Sequence, residues 1–592
     1  MSPASPELPG FLAVSSSSGS SCPVDPRTIA ARLGIERQAF SVGEGIQLLT
    51  WGLDAPWPSV SHPLLLSRGA RRHETALSPE DVGALLANER TGLAEVLPPF
   101  GALGRADDAT IVAVADALGF RHLYYHQNAG WAALSTSARA IAGCNGEGLD
   151  PQAVAVQSLL GWQLGQRTMF AGVTKLAPGS IVTLARGAAH VAEVSTGQPP
   201  RMRELDDAVR EAAQLLRTYM ASYLDDNPDP LLQLTGGQDS RILLSAIPVD
   251  QRRGLRVMTL GVPGTADVDI AARMAQRYGM SHQVQSFEGI EHLTAEQAYE
   301  SCLHAAARLE CTADPLAFAS LAHAEASFDQ GPRISGLGGE VARGFYYVGP
   351  ARLGGVTRRR TAQLAAWRMF ANESVDVGAF EPEFAARARE LAIDEIFAYL
   401  AATGKDWFSA TDDFYLFHRM QRWAGVTDTA VCFDRAVTNP MLDDRFLDIA
   451  RNLAPDDKRD SRFLARLQME LDPELAGTPL DGRPAPIAFA EHSLRNSARK
   501  ATTNLARFSR KAKQRIRRSH RPPAGAEILS AKISEHLRRS PALMDPVRAI
   551  GVFRESWIDD ILVGRRQPGP SDVALLLNLR VAVRDAPLST EN

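Results

Sequence analysis

Paired cysteines are missing from this chain. Its five cysteines, at 22, 144, 302, 311 and 432, are scattered and odd in number, and no two are spaced as CxxC. That leaves no sequence signal for a disulfide framework or a zinc knuckle. Long hydrophobic runs are missing too: no apolar stretch approaches the ~18 residues of a membrane span. The opening MSPASPELPGFLAVSSSS has neither a basic start nor a sustained apolar run, so it does not read as a secretory signal, and a cytoplasmic location is expected. Charge of one sign is not in excess. The 64 basic and 68 acidic residues leave a net charge of -4, which does not fit a nucleic-acid coat protein. What is present is 592 residues of 45% apolar composition, enough for a sizeable core and two to four domains.

One stretch concentrates chemistry. In LLQLTGGQDSRILL, residues 231–244, an apolar run reads as a short buried strand and ILL as the apolar face of a helix. The polar piece between them is a strand-to-helix turn, where the first helical amides lack internal partners and suit an anion. Gly236 and Gly237 let the backbone curl close to a ligand. Thr235 and Ser240 supply hydroxyl donors for phosphate oxygens. Asp239 would repel a phosphate, and makes sense with a Mg²⁺ ion between the two. The spacing fits neither G-x-x-x-x-G-K-[ST] nor G-x-G-x-x-G.

Residues 1–200 read as a β-rich domain, with short runs such as TIVAVAD, HLYYH, WAALST and SIVTLA broken by turn residues. A linker at 196–207 leads to a helix. From 231, strand (LLQL), helix, strand (255–262), helix (267–280) and strand (282–287) alternate, which predicts α/β structure with a parallel sheet. This domain, 201–490, is mostly helical after 292, apart from GPRISGLGGEVARG at 331–344. There Glu340 is a second acid placed to reach the same metal, since ligands of open parallel sheets bind beyond the carboxyl ends of the strands. The last segment, 491–592, is a basic stretch and a helical tail. Residues 491–521 hold eleven Lys or Arg and one Glu, which reads either as a solvated basic segment or as a docking surface for an acidic partner.

These residues resemble a known family. Thr235-Gly236-Gly237-Gln238-Asp239-Ser240 is similar to the SGGxDS pyrophosphate loop of the N-type ATP pyrophosphatases. Ser335-Gly336-Leu337-Gly338-Gly339-Glu340 resembles the SGxGGDE segment of the asparagine synthetase branch, which includes β-lactam synthetases and lasso peptide cyclases. NPMLDDRFLDIA (439–450) resembles its PFLD segment, and ADALGFRHLYY (115–125) and VTKLAPGSIVTL (173–184) resemble parts of its glutaminase-like domain. The resemblance covers roughly residues 90–480. It implies a degenerate Ntn-hydrolase-like αββα sandwich followed by an adenine-nucleotide α-hydrolase-like (PP-loop) domain with a helical extension. It also implies ATP and Mg²⁺ as cofactors. Residues 235–240 would hold pyrophosphate, Asp239 and Glu340 would hold Mg²⁺, Thr259 and Leu260 would line the adenine, and Gly336 would lie near the adenylate. The implied reaction adenylates a substrate carboxylate, releases pyrophosphate and joins the acyl group to an amine.

The sequence departs from that family at three places. Position 2 is Ser rather than a nucleophilic cysteine, so glutamine hydrolysis is not expected. Leu337 stands where asparagine synthetases carry Glu and β-lactam-forming relatives carry Tyr, leaving His418 and Asp443 as candidate bases by neighbourhood. Lys458 and Arg462 are the cations near the family's catalytic lysine. The expected function is an AMP-forming carboxylate–amine ligase acting in peptide or specialised-metabolite biosynthesis, on a carboxylate and an amine that include the option of a precursor peptide. A lasso-peptide-type macrocyclase, a β-lactam-type cyclase and a tRNA-modifying PP-loop protein are alternatives.

Overall fold

The protein's structure, a computed structural model, describes residues 8–35, 38–52, 58–193, 201–261, 263–326, 331–347, 354–371, 373–431, 435–490 and 525–585. Ser2 and the basic stretch 491–521 lie outside them. The architecture is mixed α/β, with two antiparallel sheets of six and five strands, a parallel sheet of five, and a small hairpin.

Period-two patterning builds the antiparallel pair. Phe11 and Ala13 of strand Gly10–Ser16, with Ile46, Leu48 and Leu134, share one core with Leu103, Ile111, Ala113, Val182 and Leu184 of the second sheet. The alternate residues of the first sheet, including Leu12, Val14, Leu49 and Ala133, pack with helices Pro26–Leu33 and Ala138–Asn145. Those of the second, including Ala102, Val112 and Val114, pack with helix Pro79–Asn88. The layers are therefore helix, sheet, sheet, helix. Asp116, in the 115–125 segment, is fully buried, and its carboxylate accepts the backbone N–H groups of Phe100, Leu118, Phe120 and Arg121 at 2.8–3.1 Å. In this chain the acid of that segment locks a turn.

The parallel sheet runs Ser281–Gln285, Arg256–Leu260, Leu231–Gln233, Arg333–Ile334, Val437–Thr438 in space. Every neighbouring pair is parallel. From the central strand Leu231–Gln233 the chain moves to one side, through Arg256–Leu260 to Ser281–Gln285. It then returns to Arg333–Ile334 on the other side and ends at Val437–Thr438. The connection direction thus reverses between Leu231–Gln233 and Arg333–Ile334, the place where open α/β sheets form a ligand crevice. The two glycine-rich turns leave these two neighbouring strands.

Helices then cover the sheet. Leu205–Asp226 places Leu216, Tyr219 and Met220 in the same core as Leu232, Ile242 and Leu464. A π-helical segment, Tyr415–Gly425, docks on the sandwich: the buried Arg422 donates to the Gly165 and Arg167 carbonyls at 2.7 Å, and Gln421 donates to the Leu118 carbonyl at 2.8 Å. The C-terminal helix Pro570–Asp585 is anchored by a buried pair, Asp585 with Arg139 at 2.5 Å. None of the described helices is long and apolar enough to cross a membrane.

Candidate functional site

The first glycine turn is tied down by its own side chains. The Thr235 N–H donates to Ser240 Oγ at 3.0 Å, and the two hydroxyls hydrogen-bond each other at 3.0 Å. The Gly237 N–H donates to Thr235 Oγ1 at 3.1 Å. The Gly236 N–H donates to the Asp267 carboxylate at 2.7 Å, so an acid takes a loop amide that an anionic ligand would otherwise use. Burial raises the Asp267 carboxyl above its ordinary range, against this hydrogen bond, and nearby Asp481 adds to the rise. The helix Asp239–Ala246 starts at once, so the amides of its first turn have no earlier carbonyl to serve.

The second turn is packed directly onto the first. A Cβ on Gly336 would lie 2.8 Å from the Ser240 nitrogen, and one on Gly339 would lie 2.4 Å from Asp239 Oδ1. Only glycine at these two places lets the backbones and the carboxylate meet. Gly338, at φ +108°, turns the chain into the short 3₁₀ segment Gly339–Arg343.

Asp239 and Glu340 come together here through one cation. The Arg343 guanidinium lies 3.2 Å from Asp239 Oδ2 and 3.0 Å from Glu340 Oε1. The other oxygens, Asp239 Oδ1 and Glu340 Oε2, are buried and have no hydrogen-bond partner. Burial pushes the Asp239 carboxyl up to about 6; Arg343 opposes this and Glu340 adds to it. Two carboxylates, each with an unpaired buried oxygen, are a donor set that suits a hard divalent cation. The Gln238 amide oxygen, one residue away, is also buried and unpartnered.

The other residues expected from sequence fall in different surroundings. Thr259 and Leu260 end the strand next to Leu231–Gln233, at the same carboxyl edge. Thr259 is fully buried, and its hydroxyl donates to the Leu234 carbonyl at 2.7 Å and meets His282 Nε2 at 2.9 Å. Lys458 is 2% exposed, with its ammonium on Asp412 at 2.6 Å. Tyr347 donates to the same Asp412 oxygen at 2.7 Å. Arg462 pairs with Asp457 at 2.7 Å. Leu337 packs at the edge of the main core. The His418 ring lies against Tyr399 and Phe414, and burial pushes its pKa down to about 3, so the ring is neutral. Asp443 caps helix Asp444–Arg451 and pairs with Arg445 at 2.9 Å.

Three side chains were not singled out by sequence: Arg343, Asp267 and Asp481. Arg343 stands three residues after Glu340, a spacing at which a helical turn pairs opposite charges. Its reach to Asp239 depends on the two turns meeting. Elsewhere, His73, Asp443 and Asp444 each bring a ligand atom to within 4.8 Å of the others, which makes a second candidate metal-coordinating group. His73 Nε2 already meets Asp444 at 2.9 Å there, and Asp443 is held by Arg445. No protein-family model matches the chain, and a search of curated proteins returns no match.

Proposed function

We propose that the protein is an ATP-dependent, AMP-forming carboxylate–amine ligase of the asparagine synthetase kind, with an Ntn-hydrolase-like sandwich and a PP-loop domain. The observation that carries this reading is the meeting of Asp239 and Glu340, each with an unpaired buried oxygen, where two glycine turns leave adjacent parallel strands. A helix N-terminus beside two acids suits a polyphosphate bound together with a cation.

In this reading the amides at the start of helix Asp239–Ala246 and the Thr235 and Ser240 hydroxyls receive the phosphates of ATP. Asp239 and Glu340 would hold Mg²⁺, which offsets the charge on the phosphate oxygens when bound. The Gly336 backbone, lying against Ser240, shapes the floor under the reacting phosphate. A substrate carboxylate oxygen attacks the α-phosphorus, the bond to the bridging oxygen breaks, and pyrophosphate leaves. The acyl-adenylate carbon is then attacked by an amine, which loses a proton, and AMP leaves. Preorganised dipoles aimed at the developing phosphoryl charge provide the stabilisation. The macrocyclase and β-lactam-type cyclase alternatives are special cases of this chemistry; a tRNA-modifying PP-loop protein is not.

Hydroxylamine trapping tests the reading. With Mg-ATP and a panel of carboxylic acids, including acidic amino acids and peptides, the unmodified protein should form a hydroxamate from at least one acid, and Asp239→Ala should form none. Hydroxamate formation in Asp239→Ala at the unmodified rate would defeat the site assignment.

A further inference from the structure

We infer that Arg343 is the resident counter-cation of the Asp239–Glu340 pair, and that it keeps a free divalent cation out until a polyphosphate arrives with it. The inference rests on the ligase reading for the identity of the polyphosphate, but its first half concerns the acid pair alone.

Charge and geometry carry it. Arg343 is the cation shared by the two acids, at 3.2 and 3.0 Å. Within contact distance, one guanidinium against two carboxylates leaves a net charge of about −1, and Arg483 adds a more distant positive field at Asp239, which together explain why the pair tolerates burial. Arg343 does not satisfy the pair, because Asp239 Oδ1 and Glu340 Oε2 remain buried and unpartnered. A divalent ion entering to use those oxygens meets a fixed positive charge a few ångströms away, a repulsion of several kT in a partly desolvated site. Binding of the ion alone is thereby weakened. With the ion in place the group carries +2 and +1 against −2, a net +1 that attracts a polyanion. Arginine keeps its proton under these conditions, and its planar fork can leave the carboxylates for phosphate oxygens. Gly344, at φ +62° directly after Arg343, ends the 3₁₀ turn that carries the side chain. The same residue therefore opposes the ion alone and favours the ion–polyphosphate pair, which makes the two bind together.

The test uses the full chain at pH 8 and two probes: MgCl₂ alone, and inorganic pyrophosphate with Mg²⁺, each followed by calorimetry and thermal shift. Arg343→Gln should bind Mg²⁺ alone about tenfold or more tightly than the unmodified protein, and Mg-pyrophosphate about tenfold or more weakly. Arg343→Lys, which keeps the charge, should lie between the two on both readouts. A merely structural role for Arg343 predicts that both affinities fall together. Equal or weaker affinity for Mg²⁺ alone in Arg343→Gln overturns the counter-cation role. Equal pyrophosphate affinity in the two proteins overturns the clamp on the polyanion. Tighter Mg²⁺ in Arg343→Gln, with no pyrophosphate binding by the unmodified protein, keeps the counter-cation role and overturns the ligase reading instead.

Discussion

Replacing Asp239 by asparagine should stabilise the protein at pH 7.5 while removing its turnover. Asparagine keeps the shape and mimics the protonated acid. Burial, with Glu340 beside it, pushes the carboxyl from 3.8 up to about 6 against the pull of Arg343. The native state thus holds this proton more tightly than the unfolded chain does. The favourable contribution is complete below the ordinary carboxylate range and is lost as pH rises through about 6. A separation of about two pH units amounts to about 3 kcal/mol at most. Solvent trims it, since the side chain is 16% exposed. A chain of this size gains ~2–4 °C or less per kcal/mol, so Asp239→Asn should melt a few degrees higher at pH 7.5 and by about half that margin at pH 5, the margin closing below the ordinary carboxylate range. Asp314 and Asp428 are also raised to about 6 by burial, but they give both proteins the same slope and cancel in the difference. Thermal unfolding of the two proteins across pH 5–8 measures it. An equal loss of stability at both pH values would refute the claim that Asp239 is held ionised at a cost for function.

Gly339→Ala puts a Cβ 2.4 Å from Asp239 Oδ1 and must displace that carboxylate. It should cut adenylation about 10²-fold, as a misplacement of about 1 Å does, with the melting temperature nearly unchanged. An active Gly339→Ala enzyme would show that the carboxylate position is unimportant. Lys458→Met strands the buried Asp412 with only the Tyr347 hydroxyl, and should destabilise the protein by about 3–5 kcal/mol. Adding Asp412→Leu should restore part of that loss, and a single variant as stable as the unmodified protein would contradict a buried structural pair.

Much of the site is legible because its turns are local. The run LLQL followed by Thr235-Gly236-Gly237 announces a strand and a tight turn, and the structure has the strand Leu231–Gln233 with helix Asp239–Ala246 behind it. The glycine spacing around Gly336 and Gly339 likewise marks a close approach, and what they approach is the first turn. The two-residue strands Arg333–Ile334 and Val437–Thr438 are too short to show any period, so the reversal of connection that locates the crevice comes from pairing alone. Long-range partners are illegible for the same reason. Asp267 on the Gly236 amide and Lys458 on Asp412 join residues 31 and 46 apart in sequence. The π-helical segment around His418 carries Arg422, which donates to the Gly165 carbonyl, a partner 257 residues away that no local pattern foretells. The basic stretch 491–521 lies outside the described residues, and its docking role stays a sequence expectation.

The central claim is that this site splits ATP between its α- and β-phosphates for a carboxylate. Exchange of labelled pyrophosphate into ATP measures that step directly, because it requires reversible adenylation and no amine. In the presence of Mg²⁺ and an acid that forms a hydroxamate, the unmodified protein should exchange label, while Asp239→Ala and Glu340→Gln should not. Acid-dependent formation of ADP and phosphate with no exchange, or full exchange in Asp239→Ala, would contradict the account.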